Sequence, residues 1–403
     1  MKGKLLIEKH RLFAISILVL SIWVLLGSNG RAAEVRGVTD DTIIVGTVMD
    51  LTGPAADNTA VYVDAVRNYF RHINDQGGIN GRKVKVIVED DRYSISLGVA
   101  AFKKLVFKDG ILTIIGLGSP QTTALLSQIK KNKIPTITYS PLKSMTNPFR
   151  RYIFNHCVDY GDQHRMLIDY VMKDLKEKNP RFAMVTADRV WGKVVIEASK
   201  ERLKRYGLKL LDIEILPFVV LGATTEVMSL RRAKANYVLT FHSAPASVAL
   251  YKSSRKLGYT PTFLAGDASC PDVVVPMAKD AAKNIIGTWS VNSWHDEAVG
   301  INKMKKVTLK YNPRAGAPHR AHSYGWVAAM IGAEGMKRAG KDLNGETFVS
   351  ALESIKNFNT GDISGPINFS VKSHRGAEHL RFLKANIEEG RFVPITGWRK
   401  LSK

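Results

Sequence analysis

The stretch INDQGGINGRKVKVIVEDDRYSISLGVAAFKKLV, residues 73–106, carries two adjacent carboxylates, Asp90 and Asp91. Such a pair can hold a metal or share a proton. At the end of a strand and just ahead of a helix, it more commonly solvates a loop and places negative charge at the helix N-terminus. The plainer role is expected here. Gly116-Leu117-Gly118-Ser119 follows an apolar run as a dinucleotide-binding turn would, but the third glycine is absent and Gln121 stands three residues after Gly118. His295, His319, His322, His374 and His379 are scattered without ligand spacing, and Cys157 and Cys270 lack a near partner, so no metal site is expected. Cys157 and His156 do not make a nucleophile and base, because neighbours in a strand point to opposite faces. Gly-x-x-x-x-Gly-Lys-Ser/Thr, His-Glu-x-x-His and Gly-x-Ser-x-Gly are all absent. Those absences count against phosphate-loop enzymes, zinc hydrolases and nucleophile-elbow hydrolases. Neither a catalytic residue nor a cofactor is expected.

The elements around these residues alternate. Runs rich in Ile and Val predict strands at Thr42 to Asp50, Lys83 to Asp91, Leu112 to Leu117, Thr136 to Ser140, Phe182 to Thr186, Lys209 to Leu216, Tyr237 to His242 and Thr262 to Ala265. Amphipathic stretches lie between them. In Ala60 to Asn74, Val63, Val66, Phe70 and Ile73 recur at spacings of three and four, which predicts a helix with one face on a sheet. Gly77-Gly78 ends it, and Ser94 to Lys108 predicts the next helix. The opening stretch is thus a βαβ crossover. A second set of strands and helices, from Arg181 to Lys283, matches the set that ends near Ser140, with Arg151 to Cys157 as a crossover between them. This predicts a duplicated α/β architecture with a ligand cleft between two lobes, at the carboxyl ends of the strands.

Lys2, Lys4, Lys9 and Arg11 precede an uncharged run, Leu12 to Leu26, that ends in small residues. This predicts a secretory signal over residues 1–32, cut after Ala32. The run is shorter than the roughly 20 residues of a spanning helix, and no second one follows, so the remaining chain is expected to be soluble. About 370 residues remain, enough for two domains. The formal charge of +23 is spread along helices among acidic residues rather than gathered into an arm, which argues against nucleic acid. The two cysteines stand in an exported chain where a disulfide is permitted, and their spacing does not say whether they meet.

TIIVGTVMDLTGPAA, INDQGGINGRKVKVIVEDD, AFKKLVFKDGILTIIGLGSPQTTALL and KIPTITYSP, with the later RFAMVTADRVWGKVVIEASKERLKRYGLKL, FLAGDAS and ISGPINFS, resemble in order and spacing the extracytoplasmic solute-binding proteins of branched-chain amino acid type ABC importers. The resemblance spans nearly all of the chain after the leader. It implies the type I periplasmic binding protein fold, two doubly wound α/β lobes joined by three crossovers. The first lobe would comprise residues 35–154 and 288–360, the second 155–287 and 361–403. It also implies a periplasmic monomer that binds a small molecule, no nucleic acid, and an ABC permease of the inner membrane.

Site residues follow from the same resemblance. Ser119, or Thr122 in its place, would hold a ligand carboxylate in the loop after the third strand. Ser144 would supply a second hydroxyl, with Lys143 beside it as an alternative anion partner. Trp191 stands where the family usually has a tyrosine before a glycine, and His242 falls at a further aromatic position. Asp267 would bind an α-ammonium group, since a buried ammonium needs a carboxylate partner. The function implied is capture of an amino acid or similar small carboxylate or amide. The competing reading is a receptor or regulatory sensor of the same fold. An exported enzyme is disfavoured by the missing motifs.

Overall fold

The structure is a computed structural model that describes residues 35–217 and 220–401, so the expected leader lies outside the described residues. Two sheets divide the strands. The first is parallel, in the order β2-β1-β3-β4-β5, with β1 at Thr42–Met49, β2 at Lys83–Asp90, β3 at Thr113–Gly118, β4 at Thr136–Tyr139 and β5 at Ile153–Asn155. The second runs β12-β11-β10-β9-β8-β6-β7. Its parallel strands are β6 (Phe182–Thr186), β7 (Leu210–Ile215), β8 (Tyr237–Phe241), β9 (Thr262–Ala265) and β10 (Ile285–Trp289). β11 (His379–Asn386) pairs antiparallel with β10, with β12 (Arg391–Pro394) and with β13 (Arg399–Lys400).

Helices cover the sheets, as parallel strands require. In the first lobe these are α1 (Ala56–Asp75), α2 (Ile95–Lys103) and α3 (Ser119–Asn132); in the second, α4 (Tyr160–Asp169), α5 (Val190–Arg205), α6 (Thr224–Arg232), α7 (Ala244–Lys256) and α8 (Val274–Ala278). Then α9 (Val299–Tyr311), α10 (Ala321–Ala339) and α11 (Gly345–Glu353) return to the first lobe, where α10 packs along α1. The chain therefore crosses between lobes after Asn155, after Trp289, and again through residues 354–378, which gives the three crossovers.

On α1 the expected stripe is buried at Val63, Val66 and Phe70, and Tyr62 joins it. Each such side chain contributes about 1.5–3 kcal/mol when fully removed from water. Gly77 and Gly78 follow with φ of +103° and +86°. A Cβ on Gly78 would stand 2.0 Å from the Arg82 carbonyl oxygen, so only glycine makes this turn. The helix expected to end at Lys108 is α-helical only to Lys103 and closes in a π turn, Lys104–Lys108.

Strands β6 and β9 have the boundaries expected from the sequence. β5 was expected as connection only, and three residues after an arginine pair give no periodic signal. Cys157 and Cys270 are both buried as free thiols. No helix among the described residues is long and apolar enough to cross a membrane.

Candidate functional site

Parallel register brings the strand ends together. Met49 is opposite Asp90, so Asp50 and Asp91 emerge side by side, and Gly118 is opposite Tyr139 on the neighbouring pair. Asp50 accepts from the amides of Gly53 (2.5 Å) and Ala55 (2.7 Å), and Asp90 from Leu51 N (2.9 Å) and Thr52 Oγ1 (2.7 Å). These carboxylates shape the loop that leads into α1. The expectation of a solvated pair fails for Asp91, which is 1% exposed. Its burial, with Asp50 and Asp90 nearby, raises the carboxyl to about 6 despite a hydrogen bond from Tyr93 N.

Ser119 opens α3, where its Oγ meets Ser140 Oγ at 2.8 Å and ties the ends of β3 and β4. Thr122 is one turn deeper and fully buried; its hydroxyl bonds the carbonyls of Leu117 (3.2 Å) and Gly118 (2.8 Å) and meets Thr138 Oγ1 at 2.9 Å. Ser144 is exposed in the short turn Lys143–Met145, and its carbonyl takes a 2.5 Å bond from Arg150. The side chain of Lys143 is also exposed, while its amide donates to Asp159 Oδ2 at 2.6 Å.

In the second lobe Trp191 occupies the first turn of α5, edge-on to Phe241 (5.3 Å) and His242 (5.9 Å). The next residue must be small: a Cβ on Gly192 would lie 2.1 Å from the Ala187 carbonyl oxygen. His242 is 2% exposed, and its Nε2 is 3.1 Å from the Leu216 carbonyl. Burial lowers its pKa, which favours the uncharged ring. Asp267 follows β9 and is 7% exposed. Its Oδ2 accepts from Gln163 Nε2 at 2.9 Å, and its amide donates to Gln163 Oε1 at 2.9 Å. Burial raises this carboxyl to about 6 against the hydrogen bonds from Gln163 and the Ala268 backbone, and it has no salt-bridge partner among the described residues.

Burial raises the hydroxyl pKa of Tyr139, Tyr160 and Tyr324 well above its ordinary value, and the Asp267 charge raises each further. Tyr139 is 4.8 Å from Tyr62 and 5.5 Å from Tyr324 between ring centroids, and Tyr160 is 4.4 Å from Phe241. Two polar groups here are unusual. The Tyr62 hydroxyl and both His156 ring nitrogens are buried without a well-formed hydrogen bond. Leaving a buried hydroxyl unpaired costs free energy, and burial lowers the His156 pKa to about 4 against the backbone carbonyls of Tyr324 and Thr138, which raise it.

Asp267 is thus joined to Gln163, Trp191 packs on Phe241 and His242, and Ser119 pairs with Ser140 at the strand ends of the other lobe. Thr122 is turned into the fold and Ser144 out toward its surface. Sequence reasoning missed Gln163, Tyr62, Tyr139, Tyr160 and Tyr324. Tyr139 was readable by the strand-end rule, because it closes β4 beside Ser140. Nothing local marks Tyr324, in the first turn of a helix that returns from far along the chain. No cluster of potential metal ligands occurs among the described residues.

Two helix-covered α/β lobes, joined by three crossovers, define a two-lobed solute-binding architecture. Comparison with known proteins agrees: the chain belongs to the periplasmic binding protein family, whose model matches residues 42–391. Among characterised relatives, a Leu/Ile/Val-binding protein homolog 1 of Brucella abortus is 23% identical over 332 residues, covering 80% of this chain and 85% of its own. A solved branched-chain amino acid ABC transporter protein from Thermus thermophilus with bound valine superposes with a TM-score of 0.82 at 24% identity, over 90% of this chain and 97% of that one. A fatty acid ABC transporter substrate-binding protein from Thermomonospora curvata has a TM-score of 0.79 at 19% identity, over 91% and 94%. At these identities the structural likeness establishes the fold. The family is one of extracytoplasmic solute-binding proteins rather than enzymes.

Proposed function

We propose that this chain captures an amino acid, or a similar small carboxylate or amide, in the interlobe cleft and delivers it to an ABC permease from the periplasm. The observation that carries the reading is Asp267: a buried carboxylate just past the end of β9, with no salt-bridge partner among the described residues and hydrogen-bonded to the neutral Gln163. An incoming ammonium group would supply the missing charge. The hydroxyl of Ser119 and the amides that open α3 favour a ligand carboxylate on the facing lobe. A ligand that bridges both lobes binds the closed form better than the open one, and only that difference can drive closure.

The test is a thermal-shift screen of residues 33–403 against α-amino acids, aliphatic and aromatic carboxylates and amides, repeated with Asp267→Ala. A ligand at a hundred times its Kd stabilises by about 2.7 kcal/mol. Stabilisation by α-amino acids that Asp267→Ala abolishes supports the reading. Stabilisation only by compounds without an amino group removes the ammonium role of Asp267 and redraws the ligand class.

A further inference from the structure

A cavity of about 550 Å³ lies away from the strand ends, between α1, the end of α9 and the segment that enters α10. Its volume falls within the range of small-molecule sites. Asn68 of α1 and His322 of α10 line it and are 7% and 2% exposed. His322 Nε2 meets Thr308 Oγ1 at 3.3 Å, but its Nδ1 is buried with no hydrogen-bond partner. That is an orphaned group on the wall of a cavity large enough to hold a partner for it.

Charge defines the rest of the wall. Arg71 and Arg314 approach from α1 and from the entering segment, and Arg71 lies over the Tyr311 ring at 5.8 Å. Asp64 is the acidic residue of the lining, and burial raises its carboxyl against the pull of Arg67 and Arg71. The wall therefore keeps an excess of guanidinium, which recognises oxyanions through paired N–H donors. His322, held neutral by burial, adds a hydrogen bond without charge.

We infer that this cavity is a second small-molecule site, separate from the interlobe cleft, for a ligand bearing a carboxylate or phosphate held between Arg71 and Arg314 with a polar body against Asn68 and His322. Trp294 provides the readout, because its ring is edge-on to His322 at 6.0 Å. The experiment titrates residues 33–403 with sodium phosphate and, separately, sodium succinate, against sodium chloride at equal ionic strength, following tryptophan emission. A saturable response to either anion is expected, and its identity separates phosphate from carboxylate ligands. Losing charged hydrogen bonds should weaken it about tenfold or more in Arg71→Ala/Arg314→Ala. It should persist in Asp267→Ala and vanish in Trp294→Phe. Both arginines are exposed, and an unchanged melting temperature of the double variant verifies its fold. No saturable response to either anion, or a response that the double arginine variant retains, overturns the inference.

Discussion

Gln163 and Asp267 grip one another through two hydrogen bonds of 2.9 Å, one from the Gln163 amide to the carboxylate and one from the Asp267 backbone to the Gln163 oxygen. The pair joins α4 to the end of β9, 104 residues apart in sequence. It orients a buried carboxylate just past a strand end without neutralising it.

That relationship predicts energetic coupling. Gln163→Ala leaves the carboxylate without its side-chain donor and should cost about 1–3 kcal/mol. In an Asp267→Ala background the same change should cost markedly less. Urea denaturation of the four proteins gives the coupling energy, and equal costs in both backgrounds would show that the bond from the Gln163 amide to the carboxylate contributes nothing.

The raised carboxyl of Asp267 predicts a pH-dependent gain from Asp267→Asn in the ligand-free protein. The folded group takes up its proton near pH 6, the unfolded one near 4. The folded state is therefore penalised fully above pH 6, by at most about 3 kcal/mol, and not at all below pH 4. Asp267→Asn should raise the melting temperature most at pH 8, with the gain fading toward pH 4. A gain that is constant across this range would mean that the charge is not the cause.

Tyr62→Phe removes a buried hydroxyl that has no hydrogen bond in this structure. Nothing is lost in exchange, so the ligand-free protein should be stabilised by about 1 kcal/mol. Calorimetry of ligand-free and ligand-saturated protein separates two roles. If the gain disappears or reverses with ligand bound, the hydroxyl is a ligand contact; a loss of stability without ligand would reveal an unseen partner.

Gly192→Ala places a methyl 2.1 Å from the Ala187 carbonyl oxygen at the start of α5. Backbone must move to admit it, at a cost of about 1–3 kcal/mol, and Trp191 moves with that turn. Gly207→Ala is the control for strain alone, because its φ is +71° but its Cβ position is open. Circular dichroism melts should show both variants destabilised, and only Gly192→Ala should also weaken ligand binding.

The sequence by itself determined the layered α/β plan. Short continuous apolar runs such as Phe182–Thr186 and Thr262–Ala265 are strands wherever they are buried on both faces, and their limits are local. The stripe at Val63, Val66 and Phe70 likewise needs only the period of the helix. Asp267 and Ser119 were named through the family resemblance, and the structure places both just past the ends of strands, β9 and β3.

Only the tertiary structure decided what surrounds them. The strands β11–β13 carry basic residues, β12 and β13 are short, and long-range antiparallel pairing rather than local preference creates them. Gln163 reaches Asp267 across the layers, Tyr324 arrives on a returning helix, and Thr122 turns inward because Leu117, Gly118 and Thr138 offer partners there. Whether a hydroxyl lines a cleft or closes a core depends on which acceptors packing brings within 3 Å. Neighbours in sequence do not carry that information.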